Sequence, residues 1–199
     1  TIEASKVLKQ IENLSPTHPV INLLKGEIAI ANKDANAASK HFASAWKENP
    51  SDATADKLFN ALRIQGDSKA QNSHLSDWLS KFPNSTAATL YKSINYQQRG
   101  QRIKAIEGYE KLLKQIPNNV MVLNNLGWIY FEKSDDRALP LLKKAYELSP
   151  ESAAILDSYG WVLAKSGQVE KGLVYLEKAN KLAPSIKEIE EHLTAAKAL

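Results

Sequence analysis

Apolar residues recur at spacings of three and four along residues 120–148, which is the pattern of helices that bury one face. The apolar residues of the first predicted helix are Leu123, Leu126, Ile129 and Tyr130, and those of the second are Ala138, Leu141, Leu142, Ala145 and Leu148. Pro150 ends the second helix, because proline has no N–H and clashes with the preceding turn. The pattern predicts two amphipathic helices joined by a short acidic turn.

Side chains at three points predict how helices begin. Asp135 and Asp136 are N-cap candidates for the second of these helices, since a short carboxylate accepts bonds from the free N–H groups of a first turn. Pro140 lies just inside the same helix, and we expect a slightly irregular first turn there. Near the end of the chain, Ser185 and Glu188 form an S-x-x-E pattern that predicts a capping box for a last helix.

The two-helix unit repeats along the chain. Six of the eight prolines are spaced 33 or 34 residues apart, and these are Pro16, Pro50, Pro83, Pro117, Pro150 and Pro184. A period of this length with two helices per unit is typical of helical-repeat proteins, in which each unit buries its apolar face against its neighbours. The sequence therefore predicts an all-α array rather than a single duplication.

Between the prolines, the chain resembles the tetratricopeptide repeat (TPR) family. Gly26, Ala38, Phe42, Ala45 and Pro50 match that family's order of small, aromatic and closing-proline positions. The resemblance covers nearly all of the 199 residues and is weakest in the second unit. It implies a right-handed superhelical solenoid of antiparallel helix pairs, with about five full repeats and a partial helix at each end.

We expect a single solenoid domain over residues 1–199. Its predicted parts are the second helix of a truncated repeat at 1–16, repeats at 19–50, 52–83, 86–117, 119–150 and 153–184, and a capping helix at 185–199. The predicted helices are Ile2–Leu14, Pro19–Asn32, Asn36–Glu48, Asp52–Gln65, Ser68–Lys81, Thr86–Arg99, Arg102–Gln115, Val120–Lys133, Asp136–Leu148, Ala153–Ser166, Val169–Leu182 and Ile186–Ala198. The unpaired first helix suggests a fragment of a longer array, or a trimmed mature chain.

Composition narrows the function classes. The 26 lysines and arginines are interspersed among 22 aspartates and glutamates, which favours a solvated surface over a nucleic-acid interface. The chain has no cysteine, its four histidines are widely separated, and no phosphate-binding glycine motif occurs. We therefore expect no catalytic residue, no metal, no cofactor and no enzyme activity. No apolar run approaches the ~18 residues of a membrane span.

The resemblance to the TPR family implies a concave groove lined by the first helix of each unit. On the groove face of these helices we place the partner-binding residues Asn60, Arg63, Leu90, Ile94, Gln97, Asn124, Trp128, Phe131, Asp157, Trp161 and Lys165. Equivalent places lack the lysine ladder with which some TPR domains bind a C-terminal carboxylate. The mixed apolar, aromatic and amide character instead suits an extended peptide or a partner helix.

Trp128 and Trp161 are 33 residues apart, and each follows a glycine. At equivalent places in neighbouring units they could form an aromatic shelf for a ligand, or they could only pack between adjacent first helices. Trp46 and Trp78 lie in second helices, and we interpret them as core residues.

The C-terminal third is similar to one bacterial subgroup. Its N-N-L-G-W-I-Y, D-D-R-A-L and L-D-S-Y-G-W-V-L-A-K-S-G-Q stretches resemble the TPR lipoproteins of PEP-CTERM/exosortase systems, which are linked to exopolysaccharide export. The resemblance implies a non-enzymatic scaffold in envelope protein sorting, periplasmic and lipid-anchored through an upstream segment, with a cytoplasmic location left open. The alternatives are a substrate-recruiting or regulatory domain of a larger enzyme such as a glycosyltransferase, a pilus/secretin assembly TPR lipoprotein, and a nucleic-acid-binding repeat.

Overall fold

The computed structural model describes the backbone of residues 2–199 and the side chains of residues 3–199, so Thr1 of the predicted opening segment lies outside the described residues. Within this part the chain forms twelve α-helices and no strand. They are α1 (Ile2–Leu14), α2 (Val20–Ala31), α3 (Ala35–Glu48), α4 (Asp52–Gln65), α5 (Ser68–Lys81), α6 (Thr86–Gln98), α7 (Arg102–Gln115), α8 (Val120–Glu132), α9 (Ala138–Leu148), α10 (Ala153–Lys165), α11 (Val169–Leu182) and α12 (Lys187–Ala196). Every predicted helix is present within two residues of its predicted ends, which confirms the all-α class of paired helices.

The chain divides into two compact units, Thr1–Tyr91 (unit 1) and Lys92–Leu199 (unit 2), with the division inside α6. In unit 1, α2 packs on α3, α3 on α4 and α4 on α5. In unit 2, α8 packs on α9, α9 on α10, α10 on α11, and α12 on both α10 and α11. Each helix therefore contacts mainly its neighbours in the chain, as a repeat array requires.

The turns between paired helices share one backbone feature. A residue with positive φ lies one or two residues after the end of each of five first helices, and these residues are Lys33, Gly66, Gly100, Ser134 and Gly167. They lie 33 or 34 residues apart, so the turn follows the same period as the prolines. The left-handed conformation at these positions favours glycine, which has no Cβ to clash. Lys33 and Ser134 adopt it with a side chain, and the structure of the turn therefore overrides residue preference in two units.

The core of unit 1 is aromatic. Trp78 is fully buried and Trp46 nearly so, which confirms that both are core residues. Each indole N–H donates to a carboxylate, Trp46 to Asp77 at 2.7 Å and Trp78 to Asp52 at 2.6 Å. A buried indole needs such a partner for its one donor, so the carboxylates complete the core.

The start of α9 differs from the prediction. The N-cap is Arg137, which makes no side-chain cap bond, and the helix begins at Ala138 rather than at Asp136. Asp135 instead accepts bonds from the Arg137 backbone N–H at 3.0 Å and from its guanidinium at 2.8 Å. The guanidinium bond is the main reason why the pKa of Asp135 is lowered to about 2. The N-cap prediction for Asp135 and Asp136 is therefore wrong, because α9 begins only after residues 133–137 and Asp135 bonds to Arg137 instead of capping the helix.

The last helix also begins differently from the prediction. Ile186 is the N-cap of α12 and makes no side-chain cap bond, so the predicted capping box of Ser185 and Glu188 is wrong. The helix is held by burial instead, with Ile189 and Leu193 packed into the apolar clusters of α10 and α11. Its opposite side is exposed and charged, which is the polar outer face that a terminal helix of an array needs.

Candidate functional site

Two neighbouring cavities lie on the first-helix face of unit 2. The first has a volume of about 350 Å³ and is lined by Gln97, Asn124, Asn125, Trp128, Ala154, Asp157, Ser158, Ile186, Glu188 and Ile189. The second has a volume of about 410 Å³ and is lined by Ile94, Gln97, Gln98, Gly100, Arg102, Asn125, Trp128 and Glu132. Because Gln97, Asn125 and Trp128 line both, the two cavities form one continuous site, which we call the unit 2 groove.

The unit 2 groove brings together five of the predicted binding residues. Gln97, Asn124, Trp128 and Asp157 line the first cavity, and Ile94 joins Gln97 and Trp128 in the second. Two further predicted residues, Phe131 and Lys165, line a separate cavity between α8, α9 and α10.

Three of the predicted binding residues lie in unit 1. Asn60 donates its amide to the Asp56 backbone oxygen at 2.9 Å, and the Tyr91 hydroxyl donates to the Asp56 carboxylate at 2.8 Å. Arg63 is exposed in the last turn of α4, and Leu90 is half-buried in α6. Asn60 is thus already engaged within its own unit.

A buried tyrosine orients two amides of the unit 2 groove. The Tyr109 hydroxyl donates to the Gln97 amide oxygen at 2.8 Å and accepts from the Asn125 amide nitrogen at 3.2 Å. Burial raises the pKa of Tyr109 to about 12. A tyrosine hydroxyl is protonated at neutral pH even at its ordinary pKa, so it is a donor to Gln97. The Gln97 nitrogen is then available as a donor and the Asn125 oxygen as an acceptor, the two functions that a peptide bond needs.

The two predicted tryptophans meet on one histidine. The His192 ring of α12 stacks on Trp161 with centroids 4.6 Å apart, and its centroid is 5.7 Å from that of Trp128. Trp128 also contacts Phe131, at 5.8 Å between centroids. A ring from the capping helix therefore lies against both indoles, and their role as binding residues stays a prediction.

A carboxylate fixes this histidine in place. Nδ1 of His192 lies 2.9 Å and 3.0 Å from the two carboxylate oxygens of Asp157, which is itself buried. Burial alone would lower the pKa of His192, but the hydrogen bond and charge of Asp157, with Glu188 and Glu191, outweigh burial and raise it. The pair therefore links α12 to α10 at the edge of the unit 2 groove.

One acceptor of the unit 2 groove has no partner. The Asn124 amide oxygen is buried and makes no hydrogen bond, although Asn124 lines the first cavity. A buried acceptor without a partner costs free energy, on the order of 1–3 kcal/mol. Such a group is a natural target for a donor that a ligand supplies.

Sequence analysis missed three residues of this site. Asn125 could have been found from its spacing, because it lies three residues before Trp128 and hence on the same helix face. Tyr109 fits the repeat pattern as an aromatic residue of a second helix, but a buried tyrosine hydroxyl also needs a hydrogen-bond partner. His192 is far in sequence from the other histidines, and no local signal in the sequence places it beside Trp128.

Neither a metal site nor a membrane-spanning helix is found in the part of the chain that the structure describes. No group of three or more histidine or acidic side chains could hold a metal ion among residues 2–199. None of the helices in that range is long and apolar enough to cross a membrane.

Sequence comparison with known proteins finds a similar TPR protein. No family model matches the chain. A TPR repeat-containing protein of Pseudomonas aeruginosa is 24% identical over 160 residues, which are 78% of this chain and 27% of that protein. The chain thus spans about a quarter of the length of this curated relative.

Solved structures agree with this similarity. YrrB, described as a TPR protein with an unusual peptide-binding site, superposes with a TM-score of 0.68 at 14% identity and covers 96% of this chain and 98% of its own. An O-GlcNAc transferase of Thermobaculum terrenum is 29% identical with a TM-score of 0.54, over 56% of this chain and 22% of the transferase.

The helix pairs, their common turn and the groove on their first helices define an α-helical repeat protein with a ligand-sized surface. The chain has the fold of tetratricopeptide repeat proteins, which confirms the resemblance found in the sequence.

Proposed function

We propose that this chain is a non-enzymatic scaffold that holds an extended segment of a partner protein in the unit 2 groove. The observation that carries the proposal is the amide pair of Gln97 and Asn125, oriented by Tyr109 and adjacent to Trp128. The peptide-binding site of YrrB, a protein of the same fold, is consistent with it.

The binding chemistry follows from the side chains of the groove. A peptide bond of the partner accepts a hydrogen bond from the Gln97 nitrogen and donates one to the Asn125 oxygen. These bonds recognise the main chain of the partner, whatever its sequence. The Trp128 indole supplies apolar area at little conformational cost and is the residue type that most often dominates an interface. Affinity then comes from main-chain bonds and one aromatic contact, and specificity from the side chains that enter the cavities.

A random peptide library displayed on phage tests this proposal. We expect peptides selected on the parent chain to lose about tenfold or more in affinity on Trp128→Ala and about fivefold on Gln97→Ala, since one groove hydrogen bond contributes about 1 kcal/mol. Isothermal titration of the selected peptides gives both values.

The matched control is Ile103→Ala, which removes an exposed apolar side chain from α7 outside the groove. Its affinity should equal that of the parent. Circular dichroism must show the same helix content for every variant. Peptides that bind the parent and both groove variants equally would contradict the proposal.

The finer proposal concerns the pathway. The resemblance of the C-terminal third to PEP-CTERM/exosortase lipoproteins suggests envelope protein sorting or exopolysaccharide export, in the periplasm and with a lipid anchor upstream. Similarity to a bacterial TPR protein agrees with a bacterial source. This location is tested by affinity capture from envelope and cytosolic extracts, with the parent chain and the Trp128→Ala variant as separate baits. Partner proteins that bind the parent and not the variant should come from the envelope extract. Partners from the cytosol alone would contradict this location.

A second candidate function has one observation in its favour. The similarity to an O-GlcNAc transferase suggests that the chain recruits substrate for a larger enzyme such as a glycosyltransferase. Antibody detection and immunopurification of the native protein from its source cells test this. If the proposal holds, the native protein has a mass well above the 22.1 kDa of this chain, and the immunopurified protein transfers a glycosyl group. Without that activity, the scaffold proposal stands alone.

A further inference from the structure

The first cavity of the unit 2 groove has a charge opposite to that of the chain. The chain carries a net charge of +4, yet the ionisable side chains that line this cavity are two carboxylates, Asp157 and Glu188. They come from different helices, α10 and α12. Carboxylates that approach a cavity from two sides create a negative potential inside it, which attracts a cation.

The other walls suit a long aliphatic stem. Trp128 forms one wall, and Ile186 and Ile189 of α12 form another. Ile186 is 46% exposed, so it keeps apolar surface available at the rim. A side chain that ends in a cation but carries a hydrocarbon stem can bury the stem against such walls, and its charge also interacts favourably with an indole face.

An independent observation points to a donor in the ligand. The Asn124 oxygen, in the same lining, is buried and unpaired. An ammonium or guanidinium group carries three or more N–H donors, enough for two carboxylates and this oxygen.

From these observations we infer that the first cavity binds a lysine or arginine side chain of the partner segment held in the unit 2 groove. The inference rests on the proposed function and adds the chemistry of the partner. Trp128 and Ile186 contact the stem, and Glu188, Asp157 and Asn124 accept hydrogen bonds from the cationic head. Gln97 and Asn125 hold the neighbouring peptide bond.

The pair of Asp157 and His192 makes this binding depend on pH. The charged groups that act on His192 are Asp157 from α10 and Glu188 and Glu191 from α12, while α8 faces it with the indole of Trp128. A protonated His192 neutralises Asp157, and a neutral His192 leaves the carboxylate charge for the ligand. Binding of the cation should therefore strengthen as pH rises through the pKa of His192.

The test uses three peptides, acetyl-Ala-Ala-Xaa-Ala-Ala-amide with lysine, norleucine or glutamate in the centre. Titrations are followed by the indole N–H signal of Trp128 in a ¹⁵N-labelled sample, assigned with Trp128→Phe. We expect the lysine peptide to bind at least about fivefold more tightly than the norleucine peptide, and the glutamate peptide to bind least. A fourth ligand, n-butylamine, carries the same ammonium without a main chain and should bind more weakly than the lysine peptide.

The variant Glu188→Gln removes one carboxylate from the rim and should weaken lysine binding about threefold to fivefold, as loss of a partly solvated charge contact does. Glu190→Gln, on the same helix but outside the cavity, is the matched control and should have no effect. The gain in affinity between pH 6 and pH 8, about twofold or more, should disappear in His192→Gln.

Equal binding of the lysine and norleucine peptides, no binding of any peptide, or equal effects of Glu188→Gln and Glu190→Gln would overturn the inference. Equal affinity for n-butylamine would also overturn it, because the site would then take free amines. If library peptides need Trp128 and Gln97 but tolerate Glu188→Gln, the proposed function survives and only this inference fails.

Discussion

At the scale of single residues, the proposed site depends on a side chain that lies outside the cavity linings. Tyr109 is buried below the unit 2 groove, yet it determines which atoms of Gln97 and Asn125 are available for binding. Residues of this kind are difficult to predict from sequence, because the repeat pattern already explains an aromatic residue at that position.

The first prediction concerns this positioning role. Tyr109→Phe keeps the ring and removes the hydroxyl, so the two amides lose their common partner and can rotate. We expect about 1 kcal/mol lower stability and about fivefold weaker binding of library-selected peptides. Urea unfolding and isothermal titration measure the two effects.

The matched control is Tyr130→Phe, which removes a hydroxyl bonded to Glu110 in the same unit but outside the groove. It should lower stability without changing affinity. Equal affinity losses in both variants would show that the Tyr109 effect is only structural.

The second prediction concerns His192 and pH. Its pKa is raised in the folded protein, so the stability it contributes is fully present below its unfolded pKa of 6.5 and is lost as pH rises through the folded pKa. The urea midpoint of the parent minus that of His192→Gln should therefore fall between about pH 6 and about pH 8. Burial lowers the pKa of His74, so its contribution to stability changes with pH in the opposite direction. His74 is present in both the parent and the His192→Gln variant, so its contribution cancels in the difference. A difference that rises with pH would contradict the assignment.

At the scale of helices, sequence analysis was most accurate where periodicity decides the structure. Five helices, including α4 and α11, have the predicted ends, because apolar spacing and the proline period both mark them. The errors lie at helix starts, where Asp135 and Ser185 matched capping patterns. A cap depends on local backbone geometry as well as on residue type, and in the connection before α9 Asp135 bonds to Arg137 instead of to the first turn.

The third prediction concerns the turns between paired helices. Ser134 has a φ of 55°, so Ser134→Gly relieves the clash of its Cβ and should stabilise unit 2 by about 0.5–1 kcal/mol after the entropy of glycine is subtracted. The converse variant, Gly100→Ala, places a Cβ at a φ of 70° and should lower the stability of unit 2 by about 1 kcal/mol. Thermal melts followed by circular dichroism measure both changes.

Changes of the same sign in these two variants would contradict the explanation. A further check is Gly108→Ala, since this glycine lies inside α7 and has no positive φ. Its effect is governed by packing against Ser93 and not by backbone strain.

At the scale of the whole molecule, the repeat class could be predicted because every unit restates the same pattern. The single solenoid over residues 1–199 stays a prediction, because the chain divides into two compact units. The groove was predicted in part: Gln97, Asn124, Trp128 and Asp157 do line one cavity, since equivalent positions on neighbouring first helices come together. The contribution of α12 was not predicted, because a contact between His192 and Trp128 spans two repeats and no short-range pattern encodes it.

The fourth prediction concerns nucleic acids. Positive and negative side chains are nearly equal in number, so we expect no saturable binding of a fluorescent single-stranded or double-stranded oligonucleotide at ~150 mM salt. Fluorescence anisotropy at two salt concentrations measures this. Tight binding that weakens steeply with salt would favour a nucleic-acid-binding repeat over a protein scaffold.

The central claim is that a partner segment lies in the unit 2 groove. It is tested most directly by a ¹⁵N–¹H spectrum of the chain with and without a library-selected peptide. The claim predicts that the indole N–H of Trp128 and the side-chain amides of Gln97 and Asn125 shift, while the indole signals of Trp46 and Trp78, bonded to carboxylates within unit 1, do not. Unchanged groove signals in a sample saturated with peptide would place the binding site elsewhere and contradict the claim.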